Sequence, residues 1–106
     1  MDKIDVREVI LEITKKYIAL LEKRIKLEQA YLYGSYAKGT STTDSDIDIA
    51  VVSDEFSGDL VEDQLLLMRM RREIDNRIEP HPFKSDEFVS THPYVSEILK
   101  SGIRVK

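Results

Sequence analysis

The sequence contains no cysteine, which removes disulfides, thiolate metal ligands and a thiol nucleophile together, so any metal must be held by oxygen or imidazole. No apolar run approaches the ~20 residues a bilayer-crossing helix needs, and no membrane association is expected. The opening MDKIDVREVI is charged throughout and lacks the continuous apolar stretch of a secretory leader, so the expected location is cytoplasmic. Positive charge is not in excess either: 16 Lys and Arg stand against 20 Asp and Glu, a net charge of -4 that argues against direct nucleic-acid binding. The two histidines, His81 and His92, are each followed by proline and lack helical metal-ligand spacing, so both read as surface or loop residues. Internal repeats, low-complexity tracts and linkers are missing as well. The 106 residues leave room for one compact domain, residues 1–106, burying roughly 60 to 70% of the surface its unfolded chain exposes.

What is present has clear periodicity. Apolar residues from Val6 to Leu27 recur at spacings of three and four and predict an amphipathic helix. Ala30 to Tyr33 reads as a buried strand ended by Gly34, with the rings of Tyr31 and Tyr33 filling the sheet. Lys38 to Ser45 is polar and aperiodic, hence a loop. Ile47, Ile49 and Val51 then alternate with Asp46, Asp48 and Ala50, the pattern of a strand with one buried face and one face lining a cleft. Asp59 and Glu62 resemble a capping box before a helix from Leu60 to about Asp75, whose Leu65 to Met68 stripe reads as core. The Arg69, Arg71 and Arg72 cluster reads as a solvated helix face. Arg77 to Phe83 predicts a third strand, which Pro80 and Pro82 confine to a sheet edge or to pairing only at its start. Ser85 and Thr91 are candidate N-caps for a last helix through Tyr94, Val95, Ile98 and Leu99, closed by Gly102. This order describes an α/β (α+β) domain, a small mixed β-sheet flanked by helices.

The chemistry concentrates in GSYAKGTSTTDSDID, Gly34 to Asp48. Gly34 permits a tight turn out of the strand, and Ser35 offers its N–H and hydroxyl to a phosphate. A short helix beginning at Ser35 would add a favourable dipole, and Lys38 is a candidate phosphate contact. Two aspartates at i and i+2 on a strand share a face, with side chains about 7 Å apart at Cβ, and a divalent cation would relieve their repulsion. A DXD in a polar loop is commonly a turn or cap; the alternation of Ile47, Ile49 and Val51 argues for the metal reading instead. Magnesium suits a few carboxylates completed by water and substrate phosphate, and two ions would fit an in-line displacement. Glu79 on the third strand is the expected third carboxylate, with Asp75 the alternative. Tyr36 is a candidate to face a nucleotide base.

Gly34-Ser35, ten residues, then Asp46-Ile47-Asp48 resembles the signature of the minimal nucleotidyltransferases of the DNA polymerase beta-like superfamily, and the likeness extends over essentially the whole chain. The resemblance implies the polymerase beta-like nucleotidyltransferase fold, Mg²⁺ at Asp46 and Asp48 with Glu79 completing the set, and nucleotide phosphates at Gly34 and Ser35. Members of this family as short as these 106 residues lack the extra helical domain by which larger relatives hold an acceptor, so the resemblance implies an acceptor on a partner. The chain is similar in this to the antitoxin half of HEPN/MNT toxin-antitoxin pairs. The expectation is therefore a type VII-like antitoxin moving AMP from ATP, or NMP from another NTP, to a tyrosine hydroxyl of a helical HEPN toxin. Two other readings stand beside it: a small-molecule nucleotidyltransferase whose acceptor pocket another subunit completes, and an antitoxin that neutralises by binding alone. The sequence leaves homo-oligomerisation open.

Overall fold

A computed structural model describes residues 5–106 of the chain; Met1 to Ile4, the first part of the charged start, lie outside the described residues. The elements run α1 (Val6–Glu22), β1 (Gln29–Tyr33), α2 (Ser35–Lys38), β2 (Ile47–Val52), α3 (Leu60–Arg71), β3 (Ile78–Phe83), α4 (Pro93–Ser101) and β4 (Ile103–Arg104). The four strands form one mixed sheet in the order β3-β2-β1-β4, with β2 and β3 parallel and the other neighbours antiparallel. The small mixed sheet with flanking helices is thus the architecture expected from the alternating pattern of elements.

Both faces of the sheet are buried over most of its length. One carries Ala30, Leu32, Ile47, Ile49, Val51 and Ile78 against α1 and α3, whose contributions include Ile10, Tyr17, Leu21, Leu67 and Met70. The other carries Tyr31, Tyr33, Ala50 and Val52 against Phe88 and the α4 residues Val95 and Ile98. This corrects the expectation that the second face of β2 lines a cleft throughout: it does so only at its start, and from Ala50 onward it is core, because α4 folds back across it. Burying a strand on both faces requires small or apolar residues there, and Ala50 and Val52 supply them.

Several boundaries differ from the sequence reading for local reasons. α1 stops at Glu22 rather than near Leu27, but Arg24 and Ile25 still donate to the Leu21 carbonyl, so the apolar spacing outlives the helix by a turn. α3 ends at Arg71, with Ile74 and Asp75 turning back onto the Arg71 carbonyl. Asp59 caps α3 by accepting from Val61 and Glu62, while its own N–H goes to Ser57 Oγ rather than to Glu62, which is half of a capping box. The α4 cap is His92, whose Nδ1 accepts from the N–H groups of Tyr94 and Val95 at 3.2 and 3.4 Å, in place of Thr91. Ser85 caps no helix; its N–H and hydroxyl both donate to Asp54, which holds that carboxyl below its ordinary range. Leu65 and Leu66, read as core, are exposed.

β3 pairs with β2 along its whole length despite two prolines. The ladder uses residues 77 and 83, whose carbonyls accept from Ile47 and Ser53, so Ile78, Pro80 and Pro82 point their backbone groups outward, where a missing N–H costs nothing. The outward carbonyls are taken by α3: Arg71 donates to Ile78 at 2.8 Å and Gln64 to Pro80 at 2.5 Å. These two side chains cover the backbone of an otherwise open sheet edge.

α1 is tied to α3 by the buried Tyr17, whose hydroxyl donates to the Leu67 carbonyl at 2.7 Å; burial pushes that phenol well above its ordinary range, against a smaller opposing effect of Arg71. Tyr17→Phe should cost about 1 kcal/mol of stability, the usual worth of one buried hydrogen bond, measured by urea denaturation. An unchanged midpoint would contradict the account.

Candidate active site

Asp48 stands at the centre of the open end of the sheet. Its neighbours in register are Tyr33 on β1 and Glu79 on β3, so the three side chains form a row across one face. Asp46 lies just before β2, one residue outside the strand that was expected to contain it, and is exposed. Below this row the same face closes over into the core of Ala50 and Val52, so the acids occupy the one stretch of β2 where charge can reach solvent.

Gly34 explains how the turn fits beside the acids. Its φ of 76° and ψ of -151° lie in a region open essentially to glycine alone, and a Cβ built on it would run into Asp48 Oδ2. The carboxylate therefore occupies the space that a side chain would fill, directly against the backbone of the turn. Ser35 begins the four-residue α2, as expected, and Lys38 ends it. Lys38 is exposed and shares a cleft of about 240 Å³ with Tyr33, Gly34, Tyr94 and Ile98. The loop after Gly39 is held by its own bonds: Thr40 donates to the Ser35 carbonyl, and Thr42 to Ser45 Oγ at 2.8 Å.

The structure separates the two candidates for the third carboxylate. Both oxygens of Asp75 are occupied by Arg77, through the backbone N–H at 2.8 Å, Nε at 3.1 Å and a terminal nitrogen at 2.9 Å, and these bonds hold the acid below its usual range. Glu79 has only Arg71, at 3.9 Å, and lies beside Asp48. Glu79 is thus the acid brought to the site, and Asp75 serves the turn into β3.

Sequence reasoning missed an aromatic wall. His81, read as a surface or loop residue, lies on β3 with Nε2 3.7 Å from Asp48 Oδ1 and its ring against Tyr33. Tyr33 and Tyr94 meet edge to face, with their hydroxyls 2.6 Å apart. Burial first, then the Tyr94 hydroxyl and the carboxylates of Asp48 and Glu79, push the Tyr33 phenol far above its ordinary range, so it remains a neutral O–H. Register would have placed His81 two residues beyond Glu79 on the same face; Tyr94 arrives only through the tertiary docking of α4. Tyr36, in contrast, does not face the site: it is buried in the core, with its hydroxyl toward the Thr42 carbonyl.

The donor set suits a hard cation. Asp46, Asp48 and Glu79 offer only oxygen, and neither Asp48 nor Glu79 is consumed by a close ion pair. Among the described residues, no three Asp, Glu or His side chains are placed close enough together to hold a metal ion by themselves. An ion held here would draw part of its coordination from water or substrate oxygens, as Mg²⁺ prefers.

A Methanocaldococcus jannaschii protein named as a protein adenylyltransferase is 46% identical over 46 residues, which is 43% of this chain; the matched segment spans less than half of that relative, 46% of its length. A nucleotidyltransferase from Sulfolobus solfataricus superposes with a TM-score of 0.66 at 21% identity, over 92% of this chain and 80% of that one. A mutant of the toxin-antitoxin pair MntA-HpeT gives 0.62 at 22% identity, over 86% and 70%. A toxin-antitoxin structure with AMP-PNP gives 0.59 at 25%, over 89% and 72%. The family model described as polymerase beta, nucleotidyltransferase runs through residues 15–105, from within α1 to just past β4, and the chain belongs to that nucleotidyltransferase family.

Proposed function

We propose that this nucleotidyltransferase moves AMP from ATP to a tyrosine hydroxyl of a helical, HEPN-type toxin and so acts as its antitoxin in the cytoplasm. The observation that carries the reading is the close approach of the Asp48 carboxylate to the Gly34 turn, with Glu79 beside Asp48 in register. Asp46, Asp48 and Glu79 would hold Mg²⁺, which when bound neutralises triphosphate charge and lowers the pKa of an attacking hydroxyl. Gly34 and Ser35 supply backbone N–H groups and a hydroxyl to the phosphates, and Lys38 adds a positive charge at the mouth of the cleft. The acceptor oxygen attacks the α-phosphorus, the bond to the bridging oxygen breaks, and pyrophosphate leaves. Glu79 takes the acceptor's proton, with Arg71 steadying it.

Beside the Gly34 turn, Tyr33, Tyr94 and Ile98 form a wall that suits an aromatic side chain presented by a partner. The relative named as a protein adenylyltransferase and the toxin-antitoxin neighbours support the same assignment.

The test is incubation with ATP labelled at the α-phosphate and a co-expressed helical partner. Label on a tyrosine of that partner, with a whole-AMP increment by intact mass, is the expected result; label on a small molecule alone sinks the proposal. In the same assay Glu79→Gln should lower turnover about 10²-fold, as expected for loss of a proton acceptor, while Asp75→Asn stays within about threefold. Equal losses from both would remove the distinction drawn between them.

A further inference from the structure

We infer that α3 pairs with α3 of a second copy of this chain, antiparallel, about a two-fold axis between Leu65 and Leu66. α3 buries Leu67 and Met70 against the sheet and α1, and turns Val61, Leu65 and Leu66 outward, at 69, 49 and 37% exposure. Leu65 and Leu66 line a groove of about 300 Å³ with Glu62 and Arg69, and with Glu55 and Asp63, whose carboxylates accept from Lys26 and from Ser57 and Gly58 within the chain. Burying such a leucine pair against another apolar surface is favourable, and an outward pair on a helix otherwise well anchored calls for an occupant.

The charges say which occupant. Glu62 and Arg69 lie at equal distances on either side of the Leu65-Leu66 midpoint. In an antiparallel pair centred there, Leu65 meets Leu66 of the partner copy and Glu62 meets the partner copy's Arg69, each contact occurring twice. A parallel pair would instead set like charges side by side. Among the described residues neither Glu62 nor Arg69 has an ion-pair partner within its own chain, which leaves both for such a contact. The antiparallel arrangement also sets the macrodipoles of the two helices against each other.

The proposal makes a charge-swap prediction that no unrelated partner would satisfy. Sedimentation equilibrium of the full chain should give a dimer. Glu62→Arg and Arg69→Glu, singly, should each raise the dimer dissociation constant about tenfold or more, because each replaces two attractions by two repulsions. The double variant Glu62→Arg/Arg69→Glu restores every pairing and should return to within about threefold of the parent. Leu66→Glu should abolish the dimer, with circular dichroism confirming that this exposed position does not disturb the fold. A chain that is monomeric at ~100 µM, well above the micromolar range of ordinary weak dimers, overturns the inference and leaves the face to a different protein. Failure of the double variant to recover, or single variants indistinguishable from the parent, overturns it equally. None of these readouts depends on the nucleotidyl-transfer reading.

Discussion

Asp48→Asn is expected to lower nucleotidyl transfer by about 10³- to 10⁴-fold while leaving the fold as stable as the parent or slightly more stable. The two halves have separate causes. Asparagine keeps the shape that lies against Gly34 but offers one neutral oxygen, so it holds a divalent cation poorly beside triphosphate. Without a cation, Asp48 contributes to folding mainly through a 3.7 Å approach to His81, while it sits in register with the like charge of Glu79. Removing the charge relieves that repulsion, the usual sign of a position kept for activity at some cost in stability. Parallel measurements decide the matter: single-turnover transfer, and thermal denaturation with and without Mg²⁺. The parent should gain stability from the ion and the variant should not. Retained transfer would remove Asp48 from the chemistry. Retained neutralisation of a toxin partner, with transfer lost, would favour an antitoxin that works by contact alone.

Much of the placement of the candidate site residues was legible in the sequence because its constraints are local. A glycine forced to positive φ, a serine after it, and acids alternating with Ile47 and Ile49 can be read from a few neighbouring residues. The sheet class followed from the same periodicity. What escaped depended on distant parts of the chain. That Ala50 and Val52 are buried while Asp48 is open depends on where α4 crosses the sheet. Tyr94 joins Tyr33 only because residues 61 positions apart are brought together. Pro80 and Pro82 confined β3 to an edge, as expected, yet did not shorten its pairing, because the ladder uses the odd-numbered residues of β3 and leaves the prolines on the outer side. His92 was missed as a cap because imidazole is an uncommon one, although Pro93 at the first helical position marked the boundary.

Gly34→Ala should damage both fold and function, and its pattern distinguishes it from Asp48→Asn. A single methyl group meets two obstacles: a backbone conformation open essentially to glycine, and Asp48 Oδ2 already in the space that the methyl needs. The first costs about 1 to 3 kcal/mol if the backbone is kept, so the midpoint of urea denaturation should fall accordingly. The second is relieved only by moving the carboxylate or the turn. Either movement separates the phosphate donors from the acids, and a displacement of about 1 Å at a reacting centre is enough for a loss of about 10²-fold. With the turn's N–H groups also misaimed, the combined loss should reach about 10³-fold. Asp48→Asn should therefore be inactive and stable, whereas Gly34→Ala should be inactive and destabilised. Two double variants test the contact between them. Gly34→Ala combined with Asp48→Asn should not recover stability, because the asparagine side chain still fills the same space. Gly34→Ala combined with Asp48→Gly, which vacates that space, should recover part of it. If Gly34→Ala alone is as stable and active as the parent, the close approach of Asp48 to the turn, on which the geometry of the site rests, is wrong.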